Sequence, residues 1–164
     1  MTSVGVQASL ELRGHSKSVF DVCQFKETGN EDTHNSRLLL SSSADETVRL
    51  WDLRIGNCIS KYVSSAGTVW SVSFSPHGYY FLACNQNATA SVFSTDRVTP
   101  LRMLSGHSAD VTCCAWHPNL VNFATGSDDR SVRLWDMRSG TCVRLFQHRC
   151  VTSVSSVAIS PRGD

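Results

Sequence analysis

The chain has 164 residues, 41% hydrophobic and 18% charged, with a formal net charge of +1. Its lysines and arginines are spread along the sequence. This excludes the basic stripe of a direct nucleic-acid binder and the basic amphipathic helix of a membrane-surface protein. Residues 1–6 lack a charged segment leading into an apolar one, and no apolar run approaches the roughly 18 residues of a transmembrane helix, so an intracellular, soluble chain is expected.

Seven cysteines, at 23, 58, 84, 113, 114, 142 and 150, form an odd set without a Cys-x-x-Cys spacing. Neither a zinc site nor a disulfide framework follows. Cys113, Cys114 and His117 are close in sequence, but neighbouring strand residues point to opposite faces and cannot chelate together. Cys58 and Cys142 hold equivalent places and read as small apolar strand residues.

In chain order, residues 6–12 alternate imperfectly, as a half-buried edge strand does. Gly14-His15 then opens a unit with an inner strand at 19–25, a polar stretch at 26–37, and strands at 38–43, 47–52 and 57–63. The polar stretch has no apolar residue and should be a solvated loop. A second unit has a clear inner strand and turn at 69–78 and a second strand at 80–84. Where the first unit has Gly-His, the turn Asp and Trp-Asp, it has Ala66-Gly67, Asn87 and Phe93-Ser94, so the polar contacts must be absent or rebuilt while Phe93 fills the core. Asn87-Ala88-Thr89 matches a glycosylation pattern, which matters only in a secreted chain. Gly106-His107 opens a third unit that closes on Trp135-Asp136, with strands at 111–117, 123–127, 131–136 and 141–146. Residues 154–159 read as one more inner strand, ending in the turn 160–164.

The two Trp-Asp pairs lie 84 residues apart, twice 42. A Gly-His to Trp-Asp unit recurring every 40 to 45 residues identifies a β-propeller blade of the WD-repeat class. The expected fold is all-β: a partial propeller with blades at 14–63, 65–104 and 106–146, a fourth beginning at 147–164, and residues 6–12 as the outer strand of a closing or missing blade. On this reading the chain stops within a blade and belongs to a seven-bladed ring.

Each intact unit brings together a His, a hydroxyl residue, an Asp and a Trp. In the first these are His15, one serine of Ser41 to Ser43 with Ser43 as the candidate, Asp45 and Trp51. In the third they are His107, Thr125 or Ser127 with Ser127 as the candidate, Asp129 and Trp135. A Ser-His-Asp set resembles a hydrolase triad, but it recurs in each blade and ends on an indole N–H, so a structural, blade-locking role is expected. No phosphate loop, His-Glu-x-x-His helix or Gly-x-Ser-x-Gly elbow is present. No cofactor, metal or small-molecule substrate is implied.

Several stretches are not generic repeat sequence: Gly78-Tyr79-Tyr80-Phe81, then residues 94–102, 105–113, His117-Pro118-Asn119, 124–127 and 141–146. Together they resemble the propeller of the WD-repeat TATA-binding-protein-associated factors, scaffold subunits of TFIID with a related role in SAGA. The resemblance implies a non-catalytic nuclear scaffold in RNA polymerase II transcription initiation. Its implied partners are histone-fold transcription factors and the TATA-binding-protein complex, without sequence-specific DNA contact of its own. Phe93 and Asn87 depart from it, standing where that family has Trp and Asp. A competing resemblance is to the docking box of WD-repeat substrate receptors, which bind the adaptor of cullin ubiquitin ligases. It rests on residues 39–54, with 123–138 nearly repeating them, and makes Arg54 and Arg138 candidate partner-binding residues.

Overall fold

The computed structural model describes residues 10–25, 37–147 and 152–163. The strands are β1 (Val19–Gln24), β2 (Leu38–Ser43), β3 (Thr47–Asp52), β4 (Asn57–Val63), β5 (Val69–Phe74), β6 (Tyr80–Asn85), β7 (Thr89–Ser94), β8 (Arg97–Ser105), β9 (Val111–Trp116), β10 (Asn122–Ser127), β11 (Ser131–Asp136) and β12 (Cys142–Gln147). They form three four-stranded sheets, β1–β4, β5–β8 and β9–β12, each an antiparallel meander in sequence order. This is the expected all-β partial propeller, with each sheet a blade. The loop expected at 26–37 lies outside the described residues except for its last position.

Alternation along β6 explains how the blades stack. Phe81 and Ala83 face the first blade, in a core with Leu40, Val48, Leu50, Tyr62, Val72 and Phe93. Leu82 and Cys84 face the third, in a core with Val92, Leu104, Val111, Phe123 and Trp135. A strand with period-2 side chains and no polar residue from Phe81 to Cys84 must be covered on both sides, and all four of these residues are fully buried.

The pairing is interrupted at two repeated places, between the third and fourth strands of each blade and between the first and second. In β1 the register shifts between Val19 and Asp21, in β5 between Val69 and Ser71, and in β9 a residue is skipped between Val111 and Cys113. Each bulge frees one side chain from the ladder; the first two freed residues link neighbouring blades, and the third holds the segment after β12. Phe20 packs on Trp70 with ring centroids 4.7 Å apart. Trp70 Nε1 donates to Asp110 Oδ2 at 3.1 Å, and Thr112 Oγ1 donates to the Val154 carbonyl at 2.6 Å.

The β2–β3, β6–β7 and β10–β11 turns each put a non-glycine residue in the left-handed region, at Glu46 (φ 65°), Ala88 (φ 63°) and Arg130 (φ 68°). Each follows an Asp or Asn whose side chain holds the turn by bonding two residues on: Asp45 Oδ1 accepts the Thr47 N–H, and Asp129 Oδ1 accepts the Ser131 N–H. In the second blade Asn87 Oδ1 instead accepts the Thr89 hydroxyl.

Two expectations at the flanks are corrected. Residues 10–13 form no strand, and neither do 154–159. Both still lie along a blade. Leu10 packs at Gly56 much as Arg102 and Leu104 of β8 pack at Gly140, and Val154 donates its N–H to the Ser127 carbonyl at 3.2 Å. A strand needs a continuous ladder, and along neither segment is a partner strand described. Gly126 makes room for the second contact, since a Cβ there would come within 2.6 Å of both Cys113 and Val154. The rest of residues 6–12 lies outside the described residues.

Candidate functional site

In the third blade one hydroxyl joins two partners. Trp135 Nε1 donates to Thr125 Oγ1 at 2.8 Å, and Thr125 Oγ1 is 2.8 Å from His107 Nε2. His107 Nδ1 lies 2.8 Å from Asp129 Oδ2. The indole N–H donates to the threonine oxygen, and with the carboxylate able only to accept at Nδ1, the threonine O–H donates to His107 Nε2. Nδ1–H then donates to the carboxylate, the pattern of a neutral imidazole. Burial lowers the His107 pKa against the opposing pull of Asp129, in agreement with that state. Asp129 also accepts the Ser108 N–H at 3.0 Å and the Ser131 hydroxyl at 2.6 Å. Burial alone would raise its carboxyl, but the bonds from Ser131, Ser108 and His107 outweigh it and hold the group well below the usual carboxylate range.

The first blade repeats this bond for bond. Trp51 Nε1 donates to Ser41 Oγ at 2.8 Å, Ser41 Oγ is 2.7 Å from His15 Nε2, and His15 Nδ1 is 2.9 Å from Asp45 Oδ2. Thr47 Oγ1 and the Ser16 N–H complete the carboxylate's shell at 2.6 and 3.0 Å. Burial again pushes the Asp45 carboxyl up, and the Thr47, His15 and Ser16 bonds bring it well below its ordinary value.

The hydroxyl residues proposed from sequence, Ser43 and Ser127, are therefore corrected to Ser41 and Thr125. The two serines lie on the same strand faces, two residues further on. There they serve the turn: Ser43 Oγ accepts the Asp45 N–H at 3.0 Å and Ser127 Oγ the Asp129 N–H at 3.1 Å, while Ser127 donates to the Ala109 carbonyl. The other candidates, His15, Asp45, Trp51, His107, Asp129 and Trp135, do converge. Sequence reasoning missed Thr47 and Ser131, whose signal was available as a hydroxyl two residues after the turn Asp. It also missed Arg49, whose guanidinium lies 5.9 Å from the Trp51 ring centroid. The glycine before the histidine is required by the same packing. At Gly106, where φ is +151°, a Cβ would meet Arg133 at 3.0 Å and Trp135 at 3.3 Å.

The second blade has lost the whole set together. Ala83 occupies the register of Ser41, and Phe93 that of Trp51. No indole N–H is left without its acceptor there, because removing both partners of a bond avoids an orphaned polar group. Phe93 instead stacks on Phe81, with centroids 5.1 Å apart and planes 9° from parallel. A different network stands further along the strand. Buried Asn85 accepts from Ser64 Oγ at 3.0 Å and donates to Ser91 at 3.0 Å and Thr89 at 3.2 Å.

Arg54 and Arg138 follow the two Trp-Asp pairs but are held differently. Arg54 Nη2 donates to Asp52 Oδ2 at 2.8 Å, and the side-chain and backbone bonds from Arg54 bring the Asp52 pKa down to about 2. Asp136 is held mainly by Ser139, whose N–H donates to it at 2.8 Å, and it also draws on the backbone N–H and the charge of Arg138. Arg138 makes no ion pair among the described residues. It stands at a cleft of about 650 Å³ between the second and third blades.

The buried hydroxyls at Ser41 and Thr125, 4% and 0% exposed, each accept one bond from an indole and give their proton to a histidine. Such an arrangement locks a turn to its own third strand. Among the described residues no group of three or more His, Cys, Asp or Glu is placed to hold a metal ion.

The family model "WD domain, G-beta repeat" matches residues 7–52, 56–94 and 98–136. The chain is 40% identical over 97% of its length to Transcription initiation factor TFIID subunit 5 of Caenorhabditis elegans, of which it spans 23%. It is 33% identical over 93% of its length to Apoptotic protease-activating factor 1 of Homo sapiens, spanning 12% of that protein. To the Guanine nucleotide-binding protein subunit beta of Arabidopsis thaliana it is 32% identical over 87% of its length, spanning 38% of that protein. The recurring lock, the three meanders and these matches agree: the chain belongs to the WD-repeat family of β-propeller modules.

Proposed function

We propose that the chain is part of a non-catalytic nuclear scaffold, a TFIID-type subunit in RNA polymerase II transcription initiation with a related place in the SAGA coactivator. It works by presenting blade surfaces to histone-fold transcription factors and the TATA-binding-protein complex. One observation carries the reading: the 40% identity to the nematode TFIID subunit runs over 97% of the chain and so crosses the second blade. There the Trp-Asp and Gly-His residues are gone, and the identity exceeds the 33% over 93% of the chain shared with the apoptotic factor, whose match crosses the same blade. The near-neutral charge is consistent, since a scaffold that reaches DNA through partners needs no basic stripe of its own. The step from fold to transcription rests on relatedness, because propellers host many functions.

The competing reading, a substrate receptor for a cullin ubiquitin ligase, uses Arg54 and Arg138 alike. Arg54 is bound within its own turn, so the two positions are not equivalent and the scaffold reading is preferred. Affinity purification of the full-length protein from nuclei separates them by mass spectrometry. Histone-fold factors and the TATA-binding protein are expected to dominate. A preparation rich in a cullin and its adaptor, and depleted when Arg54 and Arg138 are both changed to Ala, overturns the scaffold reading.

A further inference from the structure

The cleft between the second and third blades is unlike its counterpart between the first and second. At the earlier junction Tyr62 is buried and its hydroxyl donates to the Thr95 carbonyl at 2.8 Å. In β8 the same register position, opposite the second residue of the third strand, is Leu104. Leucine lacks the ring and hydroxyl that bond across the earlier junction, and Leu104 is instead buried in the core shared by the second and third blades. Leu101, Leu120, Val121 and Met137 supply apolar walls to this cleft, and Arg102 and Arg138 stand among its lining residues with no carboxylate. Arg102 Nη2 donates to the Arg138 carbonyl at 2.6 Å, which ties the two blades together at this point. Arg138 itself is exposed. In the second blade the corresponding position is Asp96, which accepts a bond from Ser94, and in the first it is the ion-paired Arg54. Among the described residues, only the third blade combines at this position a cation outside any salt bridge, an adjoining apolar cleft and a lining without carboxylates.

We propose that this cleft docks a short extended segment of a partner protein, placing an aliphatic side chain against Leu101, Leu120 and Met137 and an adjacent carboxylate against Arg138. The volume falls within the range of ordinary ligand pockets, about 300–1,000 Å³. Planar guanidinium groups pair with carboxylates through two parallel N–H donors, which fixes the position of the acidic residue. The surface is separate from the blade locks, which lie at the turns joining the second and third strands, and the proposal is independent of the TFIID reading.

The test is a displayed library of random nine-residue peptides selected on the full 164-residue chain, followed by calorimetry with the synthetic consensus peptide. The expected consensus is an aliphatic residue next to Asp or Glu. Binding is expected to weaken about tenfold in Arg138→Glu and Leu101→Asp, and when the peptide acid is replaced by its amide, and to be unchanged in Arg54→Glu. Both cleft positions are exposed, and matching thermal unfolding curves verify that the variants are folded. Failure to enrich any peptide overturns the proposal, as does a consensus without an acid or an affinity indifferent to Arg138. Binding of a single-stranded RNA oligonucleotide that requires Arg138, without peptide binding, reassigns the arginines to phosphate and also overturns it.

Discussion

Thr125 serves two donors and acceptors at once, so its loss strands more than its own hydroxyl. Thr125→Ala leaves the Trp135 N–H and His107 Nε2 without their partner, and should lower the unfolding free energy by about 1–3 kcal/mol. In that background Trp135→Phe should cost less than it does alone, because one orphan is removed with it; urea denaturation of the double-mutant cycle measures the difference. The second blade shows the apolar end point, with Ala83 and Phe93 at the two positions. The pH dependence follows from the same groups. His107 has a folded pKa below its unfolded value near 6.5, so protons favour the unfolded chain as pH drops below that value. Asp45 and Asp129 are also lowered, so their stabilisation is complete above the ordinary carboxylate pKa near 4 and is lost as pH falls towards their folded values. Both effects have the same sign: the melting temperature should decline from about pH 6.5 downward and steeply below about pH 4, with the upper phase missing in His107→Gln. The choice of hydroxyl was open in the sequence, since Ser41 and Ser43 share a strand face. Register decides it. Trp51 pairs with Leu39, so its indole reaches the diagonal neighbour two residues on, Ser41, and not the one beyond.

At the level of the strand, β6 is the central layer of the described molecule. Leu82→Ala opens a cavity between the second and third blades and should cost about 2–5 kcal/mol, while the exposed Met103→Ala should stay within about 0.5 kcal/mol. Hydrogen exchange offers a second measurement. Amides of β6 and β7 should exchange last, and those of residues 154–159, which lack a described ladder, among the first. Most strand boundaries were readable because the apolar alternation and the Asp-centred turns agree. The bulges were not, since Phe20, Trp70 and Thr112 share no residue type and reveal themselves only through pairing. The failure of residues 154–159 to form a strand also had no local signal: their alternation is sound, and what decides their state is a partner.

For the whole molecule, apolar side chains stay exposed on β1, unlike on the inner strands β5 and β9, and on the outer strand β12, as they do on β4 and β8. Val19, Phe20 and Val22 on β1 are 47–58% exposed, as are Val143, Leu145 and Phe146 on β12. Apolar groups on strands without further pairing invite association. The 164-residue polypeptide by itself should form dimers or larger species at micromolar concentration, detected by light scattering coupled to gel filtration. Replacing Val143 and Leu145 with Lys should shift it towards the monomer. A monomer at all concentrations for the unchanged chain would show that the flanks are covered from within. The number of blades was legible from the 84-residue separation of the two Trp-Asp pairs, but the rebuilt network around Asn85 was not. Serine and threonine near an asparagine are common in turns, and only three-dimensional proximity makes Ser64, Thr89 and Ser91 its partners.

The uneven distribution of the locks also bears on the order in which structure is acquired. Each blade is a run of hairpins whose contacts are close in sequence, so each can begin to form by itself. The first and third can then fasten their own turns through an internal polar clasp. The second has only the smaller network around Asn85 in its place, and its central strand is apolar on both faces from Phe81 to Cys84. Its native form is conditional on finding both neighbours. During synthesis the first blade can therefore mature early, while the second waits as a sticky, half-covered sheet until roughly forty more residues have emerged. That interval is when a chaperone would be needed, and its length is set by the spacing of the intact repeats.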